Sequence, residues 1–239
     1  MRIEVRDLVV DRGGFRAIDG VDLTVQGGEW LGIVGANGSG KTSLLRAVAG
    51  RIEARAGTIR IDGIDRTSER QWRAANIGFA PDPASLPASL SGHELFAILA
   101  SQTPGTAASE PLSELRSALG LDRFLDRPIG ALSAGMRQRL AIFCAFHLRP
   151  GAVILDEPFN WLDPVCAFDT KQALSCLVAD GLTLVTALHE MTTLVRYCRS
   201  GLLLSEGKVR RRLDRAQLEA GARDYGAFEA EMVAGLRDG

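Results

Sequence analysis

The stretch that most restricts this chain is the apolar run Trp30–Val34 (WLGIV), followed by GANGSGKT and then KTSLLRAVAG. Read in order, these are a strand, a glycine-rich loop and a helix, the setting a phosphate-binding loop requires. Gly35, Gly38 and Gly40 free the backbone to turn its N–H groups around phosphate oxygens at the positive end of the helix. Lys41 adds a point charge to the same oxygens, and Thr42 offers a hydroxyl to Mg²⁺, which takes hard oxygen ligands. A chance glycine-rich turn does not carry Lys-Thr at its end in a strand-to-helix setting. Alone, the pattern does not separate a kinase from a GTPase or an ATPase. No Asn-Lys-x-Asp element for reading a guanine is evident, so ATP is the expected nucleotide.

A second constraint lies downstream. Ala152–Asp156 (AVILD) is an apolar run of the kind that forms a parallel strand covered on both faces. It ends in adjacent carboxylates, Asp156 and Glu157, which could otherwise merely cap the following helix.

The remaining organisation follows from local signals. Residues 3–10 and 21–26 alternate as strands with Gly13-Gly14 in the turn between, and the N-terminus reads as a strand, not as a signal peptide. TIRIDG (58–63) is a strand stopped by Asp62-Gly63, and NIGFA (76–80) is a strand ended by Pro81 and Pro83. From Leu90 to Leu148 the pattern becomes helical, with a Ser91-x-x-Glu94 capping box. Within it, SQTPGTAASEP (101–111) is the most loop-like segment, and 112–119 and 133–148 read as helices. A helix over about 164–179, the strand LTLVT (182–186), a short helix, LLLS (202–205), KVRRR (208–212) and a helix-prone C-terminal segment complete the chain.

Composition narrows the function. A net charge of −1 gives no reason to expect nucleic-acid binding, and the apolar stretches fall far short of the ~20 residues that cross a bilayer. Cys144, Cys166, Cys176 and Cys198 show neither metal spacing nor a disulfide framework, so buried thiols in a reducing compartment are expected. The basic run Lys208, Arg210, Arg211, Arg212 and Arg215 reads as a solvated edge strand and helix start because acidic residues follow closely.

Taken in order, GANGSGKT, LSAGMRQRL, VILDEP, NWLD and ALHE resemble the nucleotide-binding subunit of an ATP-binding-cassette (ABC) transporter, over nearly the whole chain. The resemblance implies an α/β fold: a P-loop NTPase core with a mostly parallel sheet, an N-terminal antiparallel β subdomain and an inserted α-helical subdomain. It implies one domain over 1–239, with 1–89 and 150–212 as the α/β core, 90–149 as the helical signature lobe and 213–239 as a C-terminal helical segment. It also implies that Gly35, Ala36, Asn37, Gly38, Ser39, Gly40, Lys41, Thr42 and Ser43 contact ATP. Asp156 and Thr42 would serve Mg²⁺, Glu157 would be the general base, and His189 would contact the γ-phosphate. LSAGM is similar to the signature LSGGQ, so Ser133 and Gly135 would act on ATP held by a second such chain, an identical copy by default. Asp163 would bridge the two sites across that dimer. His93 and His147 carry no such support and read as structural.

The pattern departs in two places. Arg12 stands where an aromatic residue usually stacks on adenine, with Phe15 close by as a substitute. Asp82 stands where a Gln usually relays nucleotide state; its side chain is shorter and charged, and it would join Thr42 and Asp156 as a candidate Mg²⁺ ligand. IGFAPDPASLPASLSG and SAGMRQRL look like exporter ATPases, with importers of amino acids or metals the nearest competitor. The expected function is an ATPase that works at the cytoplasmic face through a separate transmembrane permease. A non-transport ATPase, such as one of iron–sulfur assembly, is the alternative.

Overall fold

The computed structural model describes residues 1–101, 110–147 and 149–237; most of the loop expected over 101–111, and Leu148, lie outside them. In chain order the first elements are β1 (Ile3–Arg12), β2 (Phe15–Val25), β3 (Trp30–Val34), α1 (Lys41–Val48), β4 (Ala56–Ile61) and β5 (Ile64–Asp65). Next come α2 (Arg70–Asn76), β6 (Ile77–Phe79), α3 (Gly92–Ser101), α4 (Glu110–Ala118) and α5 (Ala134–Cys144). The chain then forms β7 (Ala152–Asp156), α6 (Pro164–Ala179), β8 (Thr183–Leu188) and α7 (Met191–Tyr197). It ends with β9 (Ser200–Ser205), β10 (Lys208–Leu213), α8 (Arg215–Arg223) and α9 (Tyr225–Arg237).

Two sheets result. One is four-stranded and antiparallel in the order β2-β1-β4-β5; the other is six-stranded in the order β10-β9-β3-β8-β7-β6. In the second, the neighbours from β9 to β6 are parallel, and only the edge strand β10 runs antiparallel. Its central strands are buried on both faces because side chains alternate between two cores. Trp30, Val34, Val153, Leu155 and Leu184 face the helices, whereas Leu31, Ile33, Ala152, Ile154 and Val185 face α1 and the antiparallel sheet. Trp30 donates its indole N–H to the Thr186 hydroxyl at 2.9 Å, so its polar edge is satisfied inside the core.

The expected elements recur with instructive shifts. The hairpin β1–β2 is longer than anticipated, since the tight Gly13-Gly14 turn lets pairing run up to Arg12 opposite Phe15. The helix expected over 133–148 stops at Cys144, and residues 145–147 form a turn. Neither α2 nor β5 was legible from periodicity. The Ser91–Glu94 capping box is formed: Ser91 N–H donates to Glu94 Oε2 at 2.7 Å, and Glu94 N–H to Ser91 Oγ at 3.2 Å. All four cysteines are free, three of them buried, but Cys176 lies on the solvent side of α6 and is exposed. The basic run spans the edge strand β10 and the start of α8, and four of its charges are paired, Lys208 with Asp19, Arg210 with Glu206, Arg211 with Glu231 and Arg215 with Glu219. No helix among the described residues is long and apolar enough to cross a membrane.

One feature holds the helix behind the phosphate loop. At eight residues α1 is too short to persist alone, and it depends on burying Leu44, Leu45, Ala47 and Val48. Its last turn is capped by Arg73, which is 1% exposed. The Arg73 guanidinium donates to Val48 O (3.2 Å), Ala47 O (3.3 Å), Thr67 O (2.7 Å) and Arg66 O, joining α1 to the segment before α2. Arg73→Met is expected to leave those carbonyls without their donor and to cost about 3 kcal/mol of stability. In urea unfolding this reads as a lower midpoint at an unchanged slope.

Candidate active site

Parallel pairing brings the chemistry to one edge of the six-stranded sheet. The loop after β3, the end of β7 and the residue after β8 are adjacent, with Val34 paired to Leu188 and Asp156 to Ala187. A cleft of about 280 Å³ opens there, lined by Phe15, Ala17, Asn37 to Ser43 and Glu157. Gly38 and Gly40 adopt left-handed φ of 81° and 105°, conformations that glycine takes without penalty.

Lys41 is buried and points back along its own loop, donating to Gly35 O at 2.8 Å and Ala36 O at 3.2 Å. Its Nζ also lies 3.9 Å from Glu157 Oε1. Burial pulls the Lys41 pKa below its ordinary value, opposed by the charges of Glu157 and Asp156. Asp156 shows the mirror effect. Burial raises its pKa, while a hydrogen bond from Thr42 and the charges of Arg46 and Lys41 act the other way.

Glu157 stands on a strained turn, with φ of 49° and its N–H donated to Ala187 O at 3.2 Å. That turn aims the carboxylate into the cleft. His189 Nε2 lies 2.7 Å from Glu157 Oε2, and Asn160 Nδ2 donates to the same oxygen at 3.1 Å. The order of motifs put Glu157 and His189 at one site with separate roles; their pairing is seen only in the structure. The Asn160 contact was not foreshadowed, because nothing in the spacing signals it.

The residues fit a magnesium ion. Among the described residues, Asp156 Oδ1 is buried without a hydrogen-bond partner, and the Thr42 hydroxyl is beside the same carboxylate. Mg²⁺ takes one or two such protein oxygens together with phosphate oxygens and waters. No group of three or more His, Cys, Asp or Glu able to hold a metal occurs among the described residues.

Several expected residues stand elsewhere. Phe15 is 63% exposed at the mouth of the cleft, whereas Arg12, opposite it in the hairpin, does not line it. Asp82 is absent from the lining too; its carboxylate accepts from Ala84 N–H at 2.8 Å and caps the turn Pro83–Ser85. Ser133 caps α5, accepting from Met136 N–H at 3.2 Å, and neither it nor Gly135 lines this chain's cleft. A Cβ on Gly135 would lie 2.5 Å from Trp161 O, so the signature turn packs on the NWLD loop. Gln138 Nε2 donates to Pro158 O at 3.1 Å and Arg139 pairs with Asp163 at 2.5 Å, two ties that sequence spacing did not reveal. Asp163 also caps α6 through Cys166 N–H at 3.0 Å, so within one chain its carboxylate is a brace. His93 pairs with Asp126 at 3.4 Å, and His147 Nδ1 lies 2.6 Å from Cys144 O, both away from the cleft.

A family model described as ABC transporter matches residues 18–160, more than half of the chain. The chain belongs to this family. It is similar to the sulfate/thiosulfate import ATP-binding protein of Methylococcus capsulatus, 33% identical over 87% of this chain and 62% of that protein. The energy-coupling factor transporter ATP-binding protein of Bacillus subtilis is 34% identical over 74% of this chain and 64% of its own length. The chain therefore spans somewhat under two thirds of these relatives. The hemin import ATP-binding protein of Pseudomonas fluorescens is 32% identical, with 86% of this chain and 84% of the relative covered. Among solved structures, an ATP-binding subunit of an ABC transporter superposes with a TM-score of 0.83 at 27% identity, covering 99% of this chain and 100% of that chain. A dimeric post-hydrolysis ATP-binding cassette bound to ADP and Pi gives 0.78 at 25% identity, covering 89% and 98%. These curated relatives carry import or energy-coupling names, so the leaning toward export finds no support in them.

The Asp156 carboxylate yields a prediction with a definite sign. Its pKa is raised, so its cost to stability is present above that pKa and is relieved as pH falls through it. Asp156→Asn mimics the relieved state. It is expected to leave the nucleotide-free protein as stable as the parent or about 1 kcal/mol more stable, as read by thermal unfolding at pH 7. The same variant should lose any Mg²⁺ dependence of nucleotide binding.

Proposed function

We propose that this chain binds ATP with Mg²⁺ and hydrolyses it as one of two like subunits that close on two nucleotides and drive a separate transmembrane permease. The observation that carries the reading is the Glu157 carboxylate, held by His189 and Asn160 beside Lys41 at the phosphate loop. In this reading the amides of residues 35–43 and Lys41 hold the β- and γ-phosphates, and Phe15 supplies the adenine contact in preference to Arg12. Thr42 and Asp156 would hold Mg²⁺, which would supply neutralising charge to the transferring phosphoryl group. Glu157 accepts a proton from the attacking water, the bond from γ-phosphorus to the bridging oxygen breaks, and ADP and phosphate leave. His189 orients the water and Glu157. Catalysis is mostly positioning and charge stabilisation.

This reading calls for a second chain because Ser133 and Gly135 do not line their own chain's cleft. Ser133 is exposed at a helix start and Gly135 is half-buried beside it, a turn that suits the γ-phosphate bound by a partner. Trp161, 77% exposed, and Asp163 stand on the loop beside that signature turn and suit a dimer contact. The dimeric cassette similar to this chain supports the arrangement. The relatives' names support uptake over export as the direction of transport, at the cytoplasmic face of a membrane reached through the permease. They also favour transport over iron–sulfur assembly.

The test is a pair of variants. General-base assistance is typically worth about 10²–10⁴ in rate, so Glu157→Gln is expected to bind ATP like the parent and lose at least about a hundredfold in steady-state phosphate release. Turnover within a few-fold of the parent would exclude Glu157 as the base. Ser133→Arg should also spare binding while abolishing ATP-dependent dimers in light scattering and turnover with them.

A further inference from the structure

The turn between β9 and β10, Glu206-Gly207, lies against the phosphate loop and forms no part of the chemistry described above. Gly207 N–H donates to Ser39 O at 2.9 Å, and Gly207 O accepts from Asp19 N–H at 2.9 Å. One glycine thus joins three segments: the loop after β3, the strand β2 that carries Phe15, and its own hairpin. There is no room for anything larger. A Cβ on Gly207 would lie 2.7 Å from Ala17 O, and one on Gly40 would lie 2.5 Å from the same carbonyl.

We propose that Gly207 is a positioning residue that sets the direction of the phosphate-loop amides. The peptide between Ser39 and Gly40 is planar and trans, so its C=O and N–H point in opposite directions. Anchoring Ser39 O on Gly207 turns the Gly40 N–H the other way, toward the cleft. Gly40 sits at φ 105°, where a freely rotating glycine peptide has other orientations open to it. The bond to Gly207 removes that freedom before any anion arrives, and the bond to Asp19 holds the loop in register with the wall bearing Phe15. The inference rests on the proposed nucleotide site and adds a residue outside every motif that identified it.

The chain contains a matched control. Asp62-Gly63, between β4 and β5, is a hairpin turn of the same backbone type, with φ of 50° and 80°, against 50° and 73° for Glu206 and Gly207. A Cβ on Gly63 meets nothing within 4 Å. Asn tolerates left-handed φ better than other side chains, so Gly63→Asn and Gly207→Asn share the backbone cost and differ in the contact. Calorimetric titration with ADP is expected to give the parent affinity for Gly63→Asn and about tenfold weaker binding for Gly207→Asn. The KM for ATP should rise with it, while kcat at saturation stays within about threefold because Glu157 and His189 are untouched. Equal ADP affinity in the two variants would overturn the proposal. If Gly207→Asn does not fold, hydrogen exchange on the parent decides: saturating ADP should slow the Gly207 amide and leave Gly63 unchanged, and an unaltered Gly207 amide would overturn it. A parent protein that binds no ADP removes the nucleotide reading and this inference together; failure of the variant comparison alone removes only the inference.

Discussion

Parallel hydrogen bonding of β3 between β8 and β9 is the constraint on which the site depends. Side-by-side strands running in one direction must end at one edge, and residues far apart in sequence meet there. The register places the phosphate loop after Val34, the carboxylates at Asp156 and Glu157, and His189 just past Leu188. The strands can be central because every side chain in β3 is buried and the two faces draw on different cores. A polar substitution within WLGIV would therefore disturb the site without touching a functional side chain.

The same edge concentrates charge in a place that disfavours it. Burial acts against Lys41 and Asp156 alike, lowering one pKa and raising the other. Lys41 recovers part of its lost hydration from the carbonyls of its own loop, but Asp156 keeps an oxygen with no partner. Such groups weaken an isolated fold, and their presence is understood if a charged ligand completes them. The strained backbone at Glu157 belongs to the same pattern, a local cost held in place by the surrounding sheet.

Much of this was legible in the sequence because the informative features are local. Strands of uninterrupted apolar residues, the glycine spacing before Lys41, the Ser91 capping box and Asp-Gly turns all act over a few residues. What was not legible depends on distance. Arg139 and Asp163 are 24 residues apart, Arg73 reaches carbonyls 25 and 26 residues away, and Gly207 meets Ser39 across most of the chain. No periodicity announces such pairs. Arg12 was chosen by pattern, and it is its cross-strand partner Phe15 that lines the cleft.

The edges of the six-stranded sheet bear on how such a chain avoids joining its neighbours through open strands. One edge, β6, offers only three residues, and the other, β10, presents Lys208, Arg210 and Arg212 on its exposed side. Short or cationic edges resist strand-to-strand joining between molecules, the route by which open sheets aggregate. Backbone zipping between molecules, which is hard to reverse once begun, is thereby discouraged at both edges of this sheet.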